Sequence, residues 1–174
     1  MTNFDRETEN KKFTDFQFSM FEEYPDDCEV YMDKLISILD KSLAIFQIPK
    51  DEKIITSTMV NNYVKYKVIP APNKKKYSKI HMRYLFVIGI LKSVLSIGEV
   101  ATLIQRQMEE YPLEVAFNFF VIELANALKV TFGDRDFALA NSEKEKTPLS
   151  KLVRSALLSF ANKIYVKFYL HVAD

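Results

Sequence analysis

The chain has no tryptophan, one cysteine, three glycines, six prolines and two histidines in 174 residues. A single cysteine, Cys28, excludes an intrachain disulfide framework; it reads as a small buried or half-buried thiol in a reducing compartment. Three glycines and six prolines are too few for the tight turns of an all-β protein. The two histidines, His81 and His171, stand far apart with no cysteine or carboxylate at ligand spacing, so no metal centre is expected. His81 is expected on an exposed helix surface. No glycine-rich phosphate loop, nucleophile elbow or HExxH motif occurs. The acidic pairs Glu109–Glu110 and Asp134/Asp136 read as helix-end or loop surface. The chain is therefore not read as an enzyme, and no cofactor is expected.

A secretory leader is not expected either, because Asp5, Glu7 and Glu9 occupy the place of a basic region. The most apolar segment, Leu113 to Phe132, is interrupted by Glu114, Glu123 and Lys129. It reads as a buried helix rather than a membrane span. These features point to a cytoplasmic protein without a membrane partner.

The most informative absence is local. Between Ile54 and Gly98, 45 residues contain no Asp or Glu. The same window carries Lys65, Lys67, Lys74, Lys75, Lys76, Lys79, Arg83 and Lys92, a formal charge of +8. The rest of the chain holds 16 basic and 23 acidic side chains, a net of −7. A one-signed window of this length favours polyanionic partners, nucleic acid first among them.

Hydrophobic content of 48%, with 14 Phe and 9 Tyr, is enough for a real core, and the periodicity of the apolar residues is helical. Residues 1–26 carry scattered Phe (Phe4, Phe13, Phe16, Phe18, Phe21) without a clean period and read as an irregular arm. From about 27 to 46, Tyr31, Leu35, Ile38, Leu39, Ile45 and Phe46 fall at helical spacing. A short helix follows Thr56, a plausible N-cap with Ile55 and Val60 as a hydrophobic staple. It must end before Pro70 and Pro72. Its apolar side is Met59, Val60, Tyr63 and Val64. Its opposite side is Thr58, Asn61, Asn62 and Lys65.

A loop ending in Lys74, Lys75 and Lys76 leads to a helix over 78–93. Gly89 within that helix costs about 1 kcal/mol against Ala and suggests close approach of another element. Ser96-Ile97-Gly98-Glu99 is a capping box for a helix reaching about Glu110. Leu113 to Phe132 forms the next helix. Thr147 caps the last, with Pro148 at its first position.

A short polar-faced helix, a lysine loop, a helix, a brief turn and a capped helix make a helix-turn-helix region with a wing-like loop. The physics fits duplex DNA. Asn on a short helix in the major groove can pair bidentately with adenine. Lysines on the flanking loop can hold phosphates without reading sequence. Tyr77 would pack under the loop or touch the sugar-phosphate backbone.

The run Thr56-Ser57-Thr58-Met59-Val60-Asn61-Asn62-Tyr63, followed by Val68-Ile69-Pro70, resembles the second helix and exit of MerR-type regulators. Lys75-Lys76-Tyr77-Ser78 resembles their basic-aromatic wing, and Leu95-Ser96-Ile97-Gly98-Glu99-Val100 their next turn and helix. The likeness runs over about 54–104. More narrowly, IITSTMVNNYVKYKVIP with KKKYS and LKSVLSIGEV resembles the uncharacterised bacterial family called domain of unknown function 1836, over most of the chain. That family implies a MerR-like DNA-binding region and no established activity. The chain departs from the MerR pattern at Asn61 and Asn62, where Arg and Tyr are usual, and at Lys67, where Gly is usual. Its wing is also shorter, and residues 43–53 lack the small-residue pattern of a first helix.

The expected fold is all-α. It has an arm over 1–26, a helical domain over 27–110 holding a MerR-like winged helix-turn-helix at about 54–105, and a C-terminal helical region over 111–174 for dimerisation or an effector. The expected function is a bacterial DNA-binding transcriptional regulator acting on double-stranded DNA as a homodimer. Thr58, Asn61, Asn62 and Lys65 would face the groove, with Lys74, Lys75, Lys76, Tyr77 and Arg83 on phosphates. A second reading is a protein–protein adaptor whose basic region meets an acidic partner. A third is a small-molecule effector pocket among Phe117, Phe119, Phe120, Phe160 and Phe168, although dense aromatics are more often core.

Overall fold

The computed structural model describes residues 10–48, 51–133 and 147–172. Helices dominate these residues, and the strands are limited to one two-stranded sheet. The chain forms two compact units, residues 19–92 and residues 1–18 with 93–174. The division at Lys92/Ser93 falls inside the segment 27–110, so the lysine loop and the Ser96 capping box belong to different units.

In the 19–92 unit, a 3₁₀ turn at Met20–Glu23 precedes strand β1 (Glu29–Val30) and helix α1 (Met32–Leu43), which runs on into a 3₁₀ turn at Ala44–Phe46. Helix α2 is Ser57–Lys65, strand β2 is Tyr77–Ser78 and helix α3 is Lys79–Leu91. Leu35, Ile38, Leu39 and Leu43 bury one stripe of α1, as their spacing demands, whereas Tyr31 stands outside the core at the helix N-cap. Gly89 accounts for the packing of α3. A Cβ there would lie 3.0 Å from Leu43 Cδ1 and 3.2 Å from Ile54 Cγ2, so the missing side chain sets the approach. The Gln47 amide gathers several backbone groups in the described part of the link between α1 and α2. Gln47 Nε2 donates to the Asp51 and Glu52 carbonyls at 3.3 and 3.2 Å, while its Oε1 accepts from Ile54 N–H at 3.3 Å.

The other unit contains α4 (Ile97–Glu110), α5 (Leu113–Phe132) and α6 (Pro148–Val172). Ser96 and Glu99 form the expected reciprocal cap: Ser96 N–H donates to Glu99 Oε2 at 2.7 Å, and Glu99 N–H donates to Ser96 Oγ at 3.3 Å. Thr147 Oγ1 accepts from Ser150 N–H at 3.0 Å, with Pro148 at the helix start. Helix α5 has the length and apolar character of a membrane span, yet half of its most apolar window is buried in the fold. It packs on α6 and buries the Glu123 carboxylate, which accepts from Arg154 Nε at 2.9 Å and from Nη2 at 3.2 Å. Phe117, Phe120, Phe160 and Phe168 are core side chains. Phe119 is half-buried against the Arg154 guanidinium, and the cleft beside it holds only about 10 Å³.

In the described part of the N-terminal arm, residues 10–26, the sequence shows no clean period, but local structure is present. Residues 10–14 are helical, and Phe13 stacks on Phe132 at 4.0 Å with Phe168 edge-on at 5.5 Å. Phe21 belongs to the other unit, edge-on to Phe86 at 6.0 Å. Phe4, Asp134 and Asp136 lie outside the described residues.

Candidate nucleic-acid interface

Helix α2 starts where Thr56 leaves extended backbone and its hydroxyl accepts from Met59 N–H at 3.3 Å. Val60 and Tyr63 bury its inner side, and burial raises the Tyr63 phenol above its ordinary pKa. Lys92 braces the same side from the end of α3, its Nζ 3.3 Å from Met59 Sδ. Burial lowers the Lys92 ammonium pKa, and the Glu52 charge opposes that shift. With its back fixed, α2 leaves Thr58, Asn61, Asn62 and Lys65 exposed. The helix ends in a full Schellman motif: Val68 N–H donates to Tyr63 O at 2.8 Å, and Lys67 N–H to Val64 O at 3.0 Å. Lys67 is the left-handed residue of that motif, with φ 57°.

The lysine loop is a two-residue hairpin. Asn73 and Lys76 exchange backbone hydrogen bonds of 3.1 and 2.8 Å across Lys74 and Lys75. Both central lysines have positive φ, 46° and 64°. Hairpins of this kind favour Asn-Gly because left-handed backbone costs an ordinary residue about 1 kcal/mol or more. Here the costly positions carry two exposed ammonium groups. The loop is tied to β1, which pairs antiparallel with β2, Glu29 opposite Ser78 and Val30 opposite Tyr77. The Glu29 carboxylate lies 3.3 Å from Lys76 Nζ and accepts from Asn73 Nδ2 at 3.3 Å. Lys76 Nζ also sits 6.0 Å from the Tyr31 ring centre.

Three expected contact residues are placed differently from the rest. Tyr77 is only 4% exposed, so its ring supports the loop from inside and is not presented to a phosphate. Arg83 is half-buried on α3, and Lys76 is half-buried at its carboxylate partner. His81 is not on an exposed surface. It is 6% exposed, and its ring meets Tyr77 edge-on at 5.3 Å. Burial lowers its pKa, against smaller opposing effects of the Ala71, Pro70 and Ser78 backbone.

The residues missed at the sequence level are Ser57, Tyr66 and Lys67, all exposed on or beside α2. Tyr66 is 70% exposed, with Lys65 Nζ 5.6 Å from its ring centre. It stands four residues after Asn62 and so continues that face, a signal the helical period already carried.

Folding redistributes the charge. Glu29 partners Lys76, and Asp26 lies 3.0 Å from Lys79, so the upstream segment partly neutralises the window. Lys65, Lys67, Lys74 and Lys75 remain exposed with no ion-pair partner among the described residues. The 19–92 unit carries 12 basic and 9 acidic residues, net +3, which leaves the other unit at −2.

Among the described residues, no group of acidic, histidine or cysteine side chains is arranged to hold a metal. The candidate interface consists of a polar helix face and a cationic hairpin, both within the 19–92 unit.

The family described as Domain of unknown function (DUF1836) matches residues 19–120, and the chain belongs to it. Comparison with curated proteins and with solved structures gave no match.

Proposed function

We propose that this is a DNA-binding transcriptional regulator of bacterial type, working in the cytoplasm, with α2 as recognition helix and the Asn73–Lys76 hairpin as wing. The observation that carries the reading is the left-handed Lys74-Lys75 tip, in the same unit as an α2 whose Thr58, Asn61, Asn62 and Lys65 are exposed. Strained backbone held by charged residues marks a site where the charge matters more than the turn. Four exposed lysines can bind phosphates while the amides read base edges.

The MerR-like aspect of the proposal rests on Lys67. MerR-type regulators carry Gly at this exit, and Lys67 adopts the left-handed conformation that glycine favours. Homodimerisation is part of the proposal, since such readers bind paired half-sites. It is supported by Leu152, Val166 and Leu170, which α6 leaves exposed.

The adaptor reading draws on exposed apolar groups near the lysines, Tyr31, Tyr66 and Ile80, which an acidic protein surface could cover. A mobility-shift assay on random duplexes at moderate salt separates the two, because an adaptor leaves the duplex unshifted. Selection of bound fragments from a random pool then gives the sequence preference.

A further inference from the structure

We infer that His81 is a proton-sensitive latch that fixes the lysine hairpin to the start of α3 and releases it on acidification. The geometry fixes the imidazole's role. Ser78 N–H donates to His81 Nδ1 at 2.9 Å, and Ser78 Oγ lies 3.0 Å from the same nitrogen. A backbone N–H can only donate, so Nδ1 must carry a lone pair and the proton of the neutral ring sits on Nε2. The histidine thus takes the place that Glu or Gln fills in a capping box, reaching back to the N-cap N–H. Nε2 is buried without a hydrogen-bond partner, and the Pro70 and Ala71 backbone at the root of the loop lies close enough to act on the ring.

One ring therefore touches both ends of the segment that presents Lys74 and Lys75. Protonation of Nδ1 turns the acceptor into a donor aimed at another donor, Ser78 N–H, and breaks the cap. It also places a charge where the ring is 6% exposed.

Burial outweighs what the immediate surroundings offer the imidazolium, the Pro70, Ala71 and Ser78 backbone and the Ser78 Oγ acceptor, and the neighbouring elements add no free carboxylate among the described residues. On β2 the facing titratable group is Tyr77, whose burial raises its phenol pKa, so it stays neutral. Across the ladder, β1 presents Glu29, which is engaged with Lys76 and Asn73. On α3, Lys79 is paired with Asp26. Helix α1 and the Met20–Glu23 turn meet α3 with apolar contacts, Leu43 at Gly89 and Phe21 at Phe86. Below the ordinary histidine range the latch opens, and the hairpin loses its fixed register while the core of the unit stays intact.

The test follows His81 by imidazole NMR shifts, together with amide hydrogen-exchange protection of Lys76 and Ser78, corrected for intrinsic rate, between pH 7.5 and 5. We expect protection at both amides to fall at least tenfold as the His81 ring titrates, while Leu85 and Leu35 amides hold theirs. His81→Gln keeps the acceptor without the proton and should remove the pH dependence; Ser78→Ala should loosen the hairpin at both pH values. Unchanged Lys76 and Ser78 protection through the His81 titration overturns the latch, as does an undiminished pH dependence in His81→Gln. If that variant does not fold, the wild-type titration still decides.

Any consequence for DNA rests on the proposed function, and the two fail separately. A latch that opens in a protein without duplex affinity leaves the latch standing. Duplex binding by a hairpin that stays rigid through the titration overturns the latch alone.

Discussion

Lys74 and Lys75, neighbours at the hairpin tip, both hold left-handed backbone, φ 46° and 64°. Nothing in their chemistry favours that conformation, and Asn-Gly would adopt it with less strain. Lys74→Asn with Lys75→Gly should therefore raise stability by about 1 kcal/mol, the relieved strain outweighing glycine's entropy cost. Urea denaturation measures it. The same variant should bind duplex DNA more weakly, and a drop in stability would show that the lysines fit the turn.

Lys74→Ala with Lys75→Ala should weaken binding to every duplex by about the same factor, because phosphate contacts carry no sequence information. Asn61→Ala should instead change the order of preference among duplexes, by about 1–3 kcal/mol at the base it reads. Fluorescence anisotropy on a small duplex panel distinguishes them. An Asn61→Ala protein with the original ranking removes that amide from base recognition.

Arg154 and Glu123 make a bidentate pair with Glu123 buried. Arg154→Leu removes the bidentate partner of a buried carboxylate and should cost about 3–5 kcal/mol. The double variant Arg154→Leu with Glu123→Leu should recover most of that loss, since two apolar side chains then fill the α5–α6 contact. A double variant no more stable than the single one would mean the pair itself specifies the packing.

Glu99 has its carboxyl pKa lowered, first by the Ser96 side-chain hydrogen bond and then by the Ser96 backbone. A carboxylate depressed in the folded state supports stability above its ordinary value of 4.5 and loses that support as pH falls through the folded value. Ser96→Ala removes the main cause, so its stability profile should be flatter in that acid range. Parallel acid-range profiles for the wild type and the variant would show that the cap does not act through the carboxylate.

The helices and their caps were legible because they depend on near neighbours. Thr56, Ser96 and Thr147 each cap a helix through a residue three positions on, and Gly89 signalled the close approach it makes to Leu43. What was hidden depends on distant pairing. Glu29 reaches Lys76, and Asp26 reaches Lys79, across a fold that a charge window cannot see. His81 looked like a surface residue and Tyr77 was open between packing under the loop and meeting a phosphate, and the β1–β2 ladder that accompanies their burial is only two residues long on each strand. The left-handed lysines were equally invisible, because local preference speaks against them.

The decisive measurement is the salt dependence of duplex binding. Four exposed lysines, Lys65, Lys67, Lys74 and Lys75, meeting phosphates should make log K fall with log salt at a slope of roughly −3 to −4 per protomer. Removing Lys74 and Lys75 should halve that slope. A flat salt profile, or no duplex binding at low salt, would leave the exposed amides and ammonium groups without DNA as their partner.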